Sequence, residues 1–96
     1  MNKGDCMNEH IAEIKAELSR AKKKHPYFPK DLIHMVSVMN EESGETIRAA
    51  LNYTYEKGDL QEVWLETIQT AAMCLRIMEN IETLVIEEKD NQRKLF

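Results

Sequence analysis

Apolar residues recur every three or four positions through most of this chain, and this spacing constrains the fold more than any other feature. In the first segment Ile11, Ile14, Leu18 and Ala21 form one stripe of an amphipathic helix. No stretch combines alternating polarity with the β-branched residues that a strand would need. The chain is therefore predicted to be all-α, an antiparallel helical bundle of three main helices over about residues 8–24, 31–56 and 59–88.

Two short segments separate the predicted helices. Pro26 and Pro29 cannot continue a helix, and Asp31 is suited to cap the N-terminus of the next one. The Lys57-Gly58-Asp59 segment is typical of a helix C-terminus. A chain of 96 residues has room for one core. We expect a single helical domain over 1–96, with its core over about residues 8–88 and frayed tails.

Charge and composition exclude several classes of function. The chain has 17 acidic and 13 basic residues, a net charge of −4, whereas proteins that bind nucleic-acid polymers are usually basic. The N-terminus lacks the apolar region of a secretion signal, and no apolar run is long enough to span a membrane. Two cysteines are too few for a disulfide scaffold. We expect a cytoplasmic protein that binds neither membrane nor nucleic-acid polymer.

The third helix is apolar on more than one side. One broad stripe faces a single direction, while a second set of apolar residues points elsewhere. A helix that is apolar nearly all round is usually buried all round, which a protomer of this size cannot achieve alone. We therefore expect a homodimer or a homotetramer. The broad stripe consists of Leu60, Val63, Trp64, Ile68, Ala71, Cys74, Leu75, Met78, Ile81 and Val85, and the second set of Leu65, Ala72, Met73, Ile77 and Leu84.

Carboxylates occupy apolar positions of the second helix. At 100° per residue from Leu32, Glu42 lies at about 280° and Glu45 at about 220°, beside Met35 at about 300° and Val38 at about 240°. Ionised groups are not left unpaired in a core. These residues must therefore meet cations, become protonated or hold a metal, unless the acidic face is simply solvated.

The third helix offers a matching polar side. Glu62, Glu66 and Gln69 share one side of it, about opposite the broad apolar stripe. Antiparallel packing of the two helices can bring Glu42 and Glu45 opposite Glu66 and Gln69. Several carboxylates with no histidine or cysteine among them suit Mg²⁺ or Mn²⁺ rather than zinc or copper.

These acidic residues also form a two-part motif. Glu41-Glu42-x-x-Glu45 followed by Glu66-x-x-Gln69 resembles the EExxE…ExxD signature of the MazG-like all-α nucleoside triphosphate pyrophosphohydrolases. That superfamily also includes dimeric dUTPases and phosphoribosyl-ATP pyrophosphohydrolase. The similarity covers about residues 10–82 and extends to His25-Pro26 upstream and to the segment from Gln69 to Arg76 downstream.

The resemblance implies Mg²⁺-dependent cleavage between the α- and β-phosphates, giving a nucleoside monophosphate and pyrophosphate. By position, Glu42, Glu45 and Glu66 would ligate Mg²⁺, with Mn²⁺ as a substitute. Glu41 would act as the water-orienting base or as a ligand of a second ion. Gln69 stands where the family has Asp, so it would be a weaker ligand with one negative charge fewer. Glu62 is the candidate to compensate for that missing charge.

Two arginines are candidates for binding phosphate. Arg48 lies close to Glu45 in sequence, and Arg76 lies two turns beyond Gln69 near the same angle; the alternative for both is a surface salt bridge. The nucleotide's base and sugar stay open. The alternative to an enzyme is a non-catalytic helical oligomerisation or adaptor module, or a metal-binding relative that has lost its activity.

Overall fold

A computed structural model describes the backbone of residues 3–95 and the side chains of residues 6–91. It contains three helices, α1 (Lys3–Lys24), α2 (Leu32–Tyr55) and α3 (Leu60–Leu95), and residues 3–95 include no strand. The all-α prediction is confirmed. Helices α1 and α2 each pack against α3, and in the described range they do not pack against each other. None of the described helices is both long and apolar enough to cross a membrane.

Both outer helix ends lie beyond the predicted limits. Helix α1 begins at Lys3 rather than near residue 8, and α3 continues to Leu95 rather than ending near residue 88. The added part of α3, residues 89–95, is polar, but its Lys, Gln and Arg residues are good helix formers, and neither Gly nor Pro interrupts it. Polarity alone was therefore a poor guide to where this helix ends.

The predicted breaks between helices are where the sequence placed them. Asp31 caps α2, since its carboxylate accepts a hydrogen bond of 2.9 Å from the backbone N–H of His34. After α2, Lys57 adopts the left-handed conformation with φ of 57°, and the N–H of Gly58 donates to the carbonyl of Asn52. A Cβ at Gly58 would lie 3.0 Å from the carbonyl carbon of Asn52, so a larger residue would be crowded against the backbone there.

The core of the protomer is small and lies between α2 and α3. Its buried apolar residues are Met35, which is 1% exposed, Ala72 and Ile77. Ala72 and Ile77 belong to the second apolar set of α3, although Leu65 of that set is 43% exposed. The broad stripe borders α1 at Trp64, and its exposed members also include Leu60, Met78, Ile81 and Val85.

Contacts in the middle and near the C-terminus of α1 fix it to α3. The indole N–H of Trp64 donates to a carboxylate oxygen of Glu13 over 3.1 Å, and the ring of His10 meets the Trp64 ring edge-on at 5.1 Å. Further along, Lys22 forms an ion pair of 2.9 Å with Glu79. These contacts hold the C-terminal half of α1 beside the middle of α3, where it borders the acidic residues described next.

Candidate metal centre

Helices α2 and α3 bring three glutamates together. One carboxylate oxygen from each of Glu42, Glu45 and Glu66 lies within 4.8 Å of the other two. We call these three residues the acidic triad. Glu42 and Glu45 are on neighbouring turns of α2, while Glu66 reaches them from α3. Converging carboxylate oxygens are ligands that suit a hard divalent cation.

Two oxygens of the acidic triad are buried without a partner. Glu42 Oε2 and Glu66 Oε2 are inaccessible to solvent, and the described residues offer neither atom a hydrogen bond. Glu45 is exposed. Buried polar atoms in folded proteins are nearly always hydrogen-bonded, and an unpaired buried carboxylate is costly. Each of these two oxygens therefore requires a proton or a cation.

Burial and mutual repulsion change the acidity of the acidic triad. Burial raises the pKa of Glu42, and the charges of Glu45, Glu17 and Glu41 raise it further. Burial likewise raises the pKa of Glu66, followed by the effect of the adjacent Glu45. Both causes disfavour the ionised form, and the charge of a bound cation would oppose their combined effect on the two pKa values.

A threonine pair joins the two helices one turn away from the acidic triad. The Thr46 and Thr70 hydroxyl oxygens lie 3.0 Å apart and join α2 to α3. Each hydroxyl also lies within hydrogen-bond distance of the carbonyl four residues before it, Glu42 for Thr46 and Glu66 for Thr70. Since a hydroxyl has one proton, one threonine donates to its carbonyl while the other donates across the pair. The pair therefore connects the backbone of the two residues that carry the buried, unpartnered oxygens.

A cavity of about 470 Å³ opens on the α1 side of the acidic triad. Glu42, Gln69 and Arg76 contribute to its wall, so two further predicted site residues border one member of the triad. Its other walls are partly apolar and partly cationic. They comprise Ala21, Phe28, Pro29, Val38 and Met73 together with Glu17, Arg20, Lys24, His25 and Tyr27. A concave site that combines apolar walls with charged groups suits a small charged molecule.

A second, smaller cleft of about 260 Å³ lies on the other side of the triad. Glu45 and Glu66 line it together with Glu62 and Arg48, the remaining predicted residues of α2 and α3. Glu41 is exposed and is not one of the three converging carboxylates. The structure therefore divides the predicted residues between a central triad and two flanking clefts, with Glu41 outside.

Arg76 is the least expected feature of the site. It is only 4% exposed, its Nη2 donates to the carbonyl of His25 over 2.6 Å, and its guanidinium carbon lies 4.7 Å from the ring centroid of Phe28. Burial lowers its pKa, although the charge of Glu79 opposes this effect. The ion pairs of the described residues are Arg20–Glu17 and Lys22–Glu79, so a surface salt bridge is not the role of Arg76.

Glu17 was missed by the sequence reasoning. It lines the larger cavity, hydrogen-bonds to Arg20 and contributes to the raised pKa of Glu42. The signal was present: at 100° per residue from Ile11, Glu17 lies at about 240°, beside Ala21 at about 280°. The angular test that singled out Glu42 would have found this carboxylate on the inner face of α1.

Comparison of the chain with protein-family models, with curated proteins and with solved structures returned no match. The likeness to the MazG-like group therefore stays a prediction from the motif. What the site offers chemically is a set of hard oxygen donors beside a partly apolar cavity that contains a buried guanidinium.

Proposed function

We propose that this chain is a Mg²⁺-dependent nucleoside triphosphate pyrophosphohydrolase, producing a nucleoside monophosphate and pyrophosphate. The observation that carries the proposal is the acidic triad, in which three carboxylate oxygens from two helices approach within 4.8 Å and two are buried without a partner. The resemblance of the two-part acidic motif to the MazG-like signature indicates which reaction to propose. The net charge of −4 agrees, because an acidic protein needs cations to hold a polyphosphate.

The residues of the triad suit the proposed ion. Carboxylate oxygens are the ligands that Mg²⁺ and Mn²⁺ prefer, and Glu42, Glu45 and Glu66 would hold the ion. When bound, Mg²⁺ neutralises phosphate charge and lowers the pKa of water. Gln69 would contribute a neutral oxygen at most, and Glu62, in the smaller cleft with Glu45 and Glu66, is the proposed compensating carboxylate.

The larger cavity is the proposed place of the nucleoside. Phe28, Val38 and Met73 give it apolar walls, and Glu42 forms part of the same wall, so a bound nucleoside has its phosphates beside the triad. The guanidinium of Arg76 faces this cavity from a buried position and is the proposed phosphate ligand. Arg48, in the opposite cleft, would contact the departing pyrophosphate.

Hydrolysis also needs a residue that handles the attacking water. A water oxygen forms a new bond to the α-phosphorus while the bond to the bridging oxygen of the leaving pyrophosphate breaks. Glu41 is the proposed residue that accepts the water proton or binds a second ion. It is exposed and contributes to the raised pKa of Glu42 beside it. A solvent-facing carboxylate next to the triad is suited to taking up a proton.

Self-association is part of the proposal. The protomer exposes 7840 Å², whereas a compact monomer of 11.2 kDa exposes about 5,700 Å². The excess of about 2,100 Å² exceeds the ~1,000 Å² that each partner buries in the smaller obligate dimers. Part of the excess comes from the end of α3 that extends past the other helices. A homodimer or homotetramer would cover the exposed apolar faces.

The test is pyrophosphate release from a panel of purine and pyrimidine nucleoside triphosphates with Mg²⁺, with Mn²⁺ and with chelator. We expect release that needs the metal and that Glu66→Gln reduces by about 10³-fold or more, the scale expected when charge stabilisation of the transition state is lost. Glu87→Gln, an exposed carboxylate on the same helix, is the matched control and should keep full activity. No release from any nucleotide by folded protein would refute the enzymatic proposal.

The exposed apolar faces favour a second candidate, a helical oligomerisation or adaptor module. On that alternative the acidic triad is a groove that binds neither metal nor nucleotide. A metal-binding relative without activity is the intermediate case. Metal-dependent thermal stabilisation without pyrophosphate release would indicate that relative, and the absence of both would indicate the adaptor.

A further inference from the structure

The guanidinium of Arg76 is a buried positive charge on the wall of the larger cavity. Arg76 is 4% exposed, and it belongs to neither of the ion pairs that the structure shows among residues 6–91. A buried charge loses its hydration, and without a counter-ion it gains little in return. A small anion in the cavity would supply both the opposite charge and acceptors for the N–H groups.

Contacts with the connector between α1 and α2, residues 25–31, fix the position of this guanidinium. Its Nη2 donates to the carbonyl of His25 over 2.6 Å, and its carbon lies 4.7 Å from the ring centroid of Phe28. Within the described residues this is the one hydrogen bond that the guanidinium makes, although it carries five N–H donors. The planar guanidinium therefore keeps donors for an anion that enters the cavity.

Arg76 and the acidic triad are separated along both helices that form the cavity. On α3, Arg76 follows Glu66 by ten residues, which is about 15 Å of helix, and Met73 of the apolar wall comes between them. On α2, Glu42 likewise follows the connector by ten residues or more. Since the connector holds the guanidinium, a phosphate at the triad and an anion at Arg76 would lie on opposite sides of the place proposed for the nucleoside.

Two further cations line the cavity beside the connector. Arg20 and Lys24 belong to the last two turns of α1. Glu17 forms an ion pair with Arg20, whereas the described residues pair neither Lys24 nor Arg76 with a carboxylate. Two positive charges are therefore left, and a phosphate monoester, which carries about −1.5 to −2 at neutral pH, matches them. A neutral nucleobase would leave both charges uncompensated.

We propose that Arg76 and Lys24 form a subsite for a phosphoryl group that is not part of the reacting triphosphate and whose binding needs no metal. The position of the nucleoside between this subsite and the triad rests on the proposed function, whereas the binding of phosphate does not. The occupant is free inorganic phosphate or a second phosphate of the nucleotide, on the side of the nucleoside away from its 5′-phosphates. Both present the same oxygens and charge, so the same two residues would bind them.

Titration of the isotope-labelled full-length chain with inorganic phosphate in chelator, followed by NMR, tests the subsite without the metal. We expect saturable binding that Arg76→Met weakens by about 10-fold or more, the scale of a lost charge-assisted hydrogen bond. Lys24→Gln should weaken it by about 3-fold. Lys23→Gln is the matched control, because Lys23 is an exposed neighbour outside the cavity wall, and it should bind as the parent does. Lys24 is exposed, so its variant keeps the test valid even if loss of the buried Arg76 unfolds the chain.

A second titration, in Mg²⁺, distinguishes the two sources of the phosphoryl group. Adenosine and uridine 3′,5′-bisphosphates are compared with the corresponding 5′-monophosphates. Tighter binding of a bisphosphate by about 10-fold, reduced in Lys24→Gln, supports a second phosphate on the nucleotide, and equal affinities support free phosphate as the occupant.

Two results would overturn the subsite. One is the absence of phosphate binding in chelator, and the other is equal weakening by Lys23→Gln and Lys24→Gln. Neither result affects metal-dependent release of pyrophosphate. Conversely, a folded chain that releases no pyrophosphate but binds phosphate in chelator would refute the proposed function and support the subsite.

Discussion

The acidic triad predicts that one substitution stabilises the metal-free protein but destabilises the metal-bound protein relative to the parent chain. Two carboxylate charges 4.8 Å apart repel by about 1 kcal/mol in water and by about 3.5 kcal/mol at an effective dielectric constant of 20. Glu45→Gln removes two of the three repelling pairs. Because Glu45 is exposed, the lower figure applies and protonation relieves part of it, so the metal-free variant should gain about 1–2 kcal/mol of unfolding free energy.

Bound metal should reverse the order. Mn²⁺ at a hundred times its dissociation constant stabilises the native state by about 2.7 kcal/mol, which exceeds the advantage of the metal-free variant. For a domain of this length that free energy corresponds to a rise in Tm of about 11–22 °C. The parent chain should show this rise, while Glu45→Gln, having lost one ligand, should show little. The variant is therefore expected to melt above the parent in chelator and to lose that advantage as Mn²⁺ is added.

Differential scanning fluorimetry of both proteins across a Mn²⁺ titration measures the crossing, with Glu87→Gln as the control for removal of an exposed charge from α3. The same titration with Mg²⁺ tests the proposed physiological ion. The reasoning is refuted if the parent chain melts at one temperature throughout the titration, or if Glu45→Gln and Glu87→Gln behave alike.

Three further predictions concern the surroundings of the triad. Glu42 and Glu66 have raised pKa values, so the metal-free native state binds more protons than the unfolded chain. Its Tm should fall as pH rises from 4.5 toward neutrality, more steeply than in the Glu42→Gln/Glu66→Gln variant, and a matching slope would contradict this. Gln69→Asp should bind Mg²⁺ more tightly in calorimetry if Gln69 is a ligand, and unchanged affinity would limit Gln69 to the cavity wall. Arg76→Met should cost about 1–3 kcal/mol in denaturant titration and weaken nucleotide binding, while exposed Arg48→Met stays within about 0.5 kcal/mol; equal costs would show that burial does not distinguish these arginines.

Local features of the sequence determined the helices and most of the breaks between them. Apolar residues at every third or fourth position identified all three helices, because only an α-helix places residues with that spacing on one side. Asp31 and Gly58 marked boundaries correctly since capping and close approach act within a few residues. The same local reasoning failed at the end of α3, where polar residues that form helices well were taken for a tail.

The angular position of Glu42 and Glu45 predicted that they turn toward a neighbouring helix, and the spacing of Glu66 suggested which one. Only the tertiary structure decided that one carboxylate oxygen from each of these three glutamates lies within 4.8 Å of the other two. It also decided that Arg76 is buried against Phe28 and that Glu17 lines the larger cavity. The sequence also did not determine which residues of α3 are buried, because both of its apolar sets satisfy helical periodicity and the packing of α1 and α2 against α3 decides which residues are covered. Periodicity describes one helix at a time, whereas burial, distance and pKa depend on which helices meet.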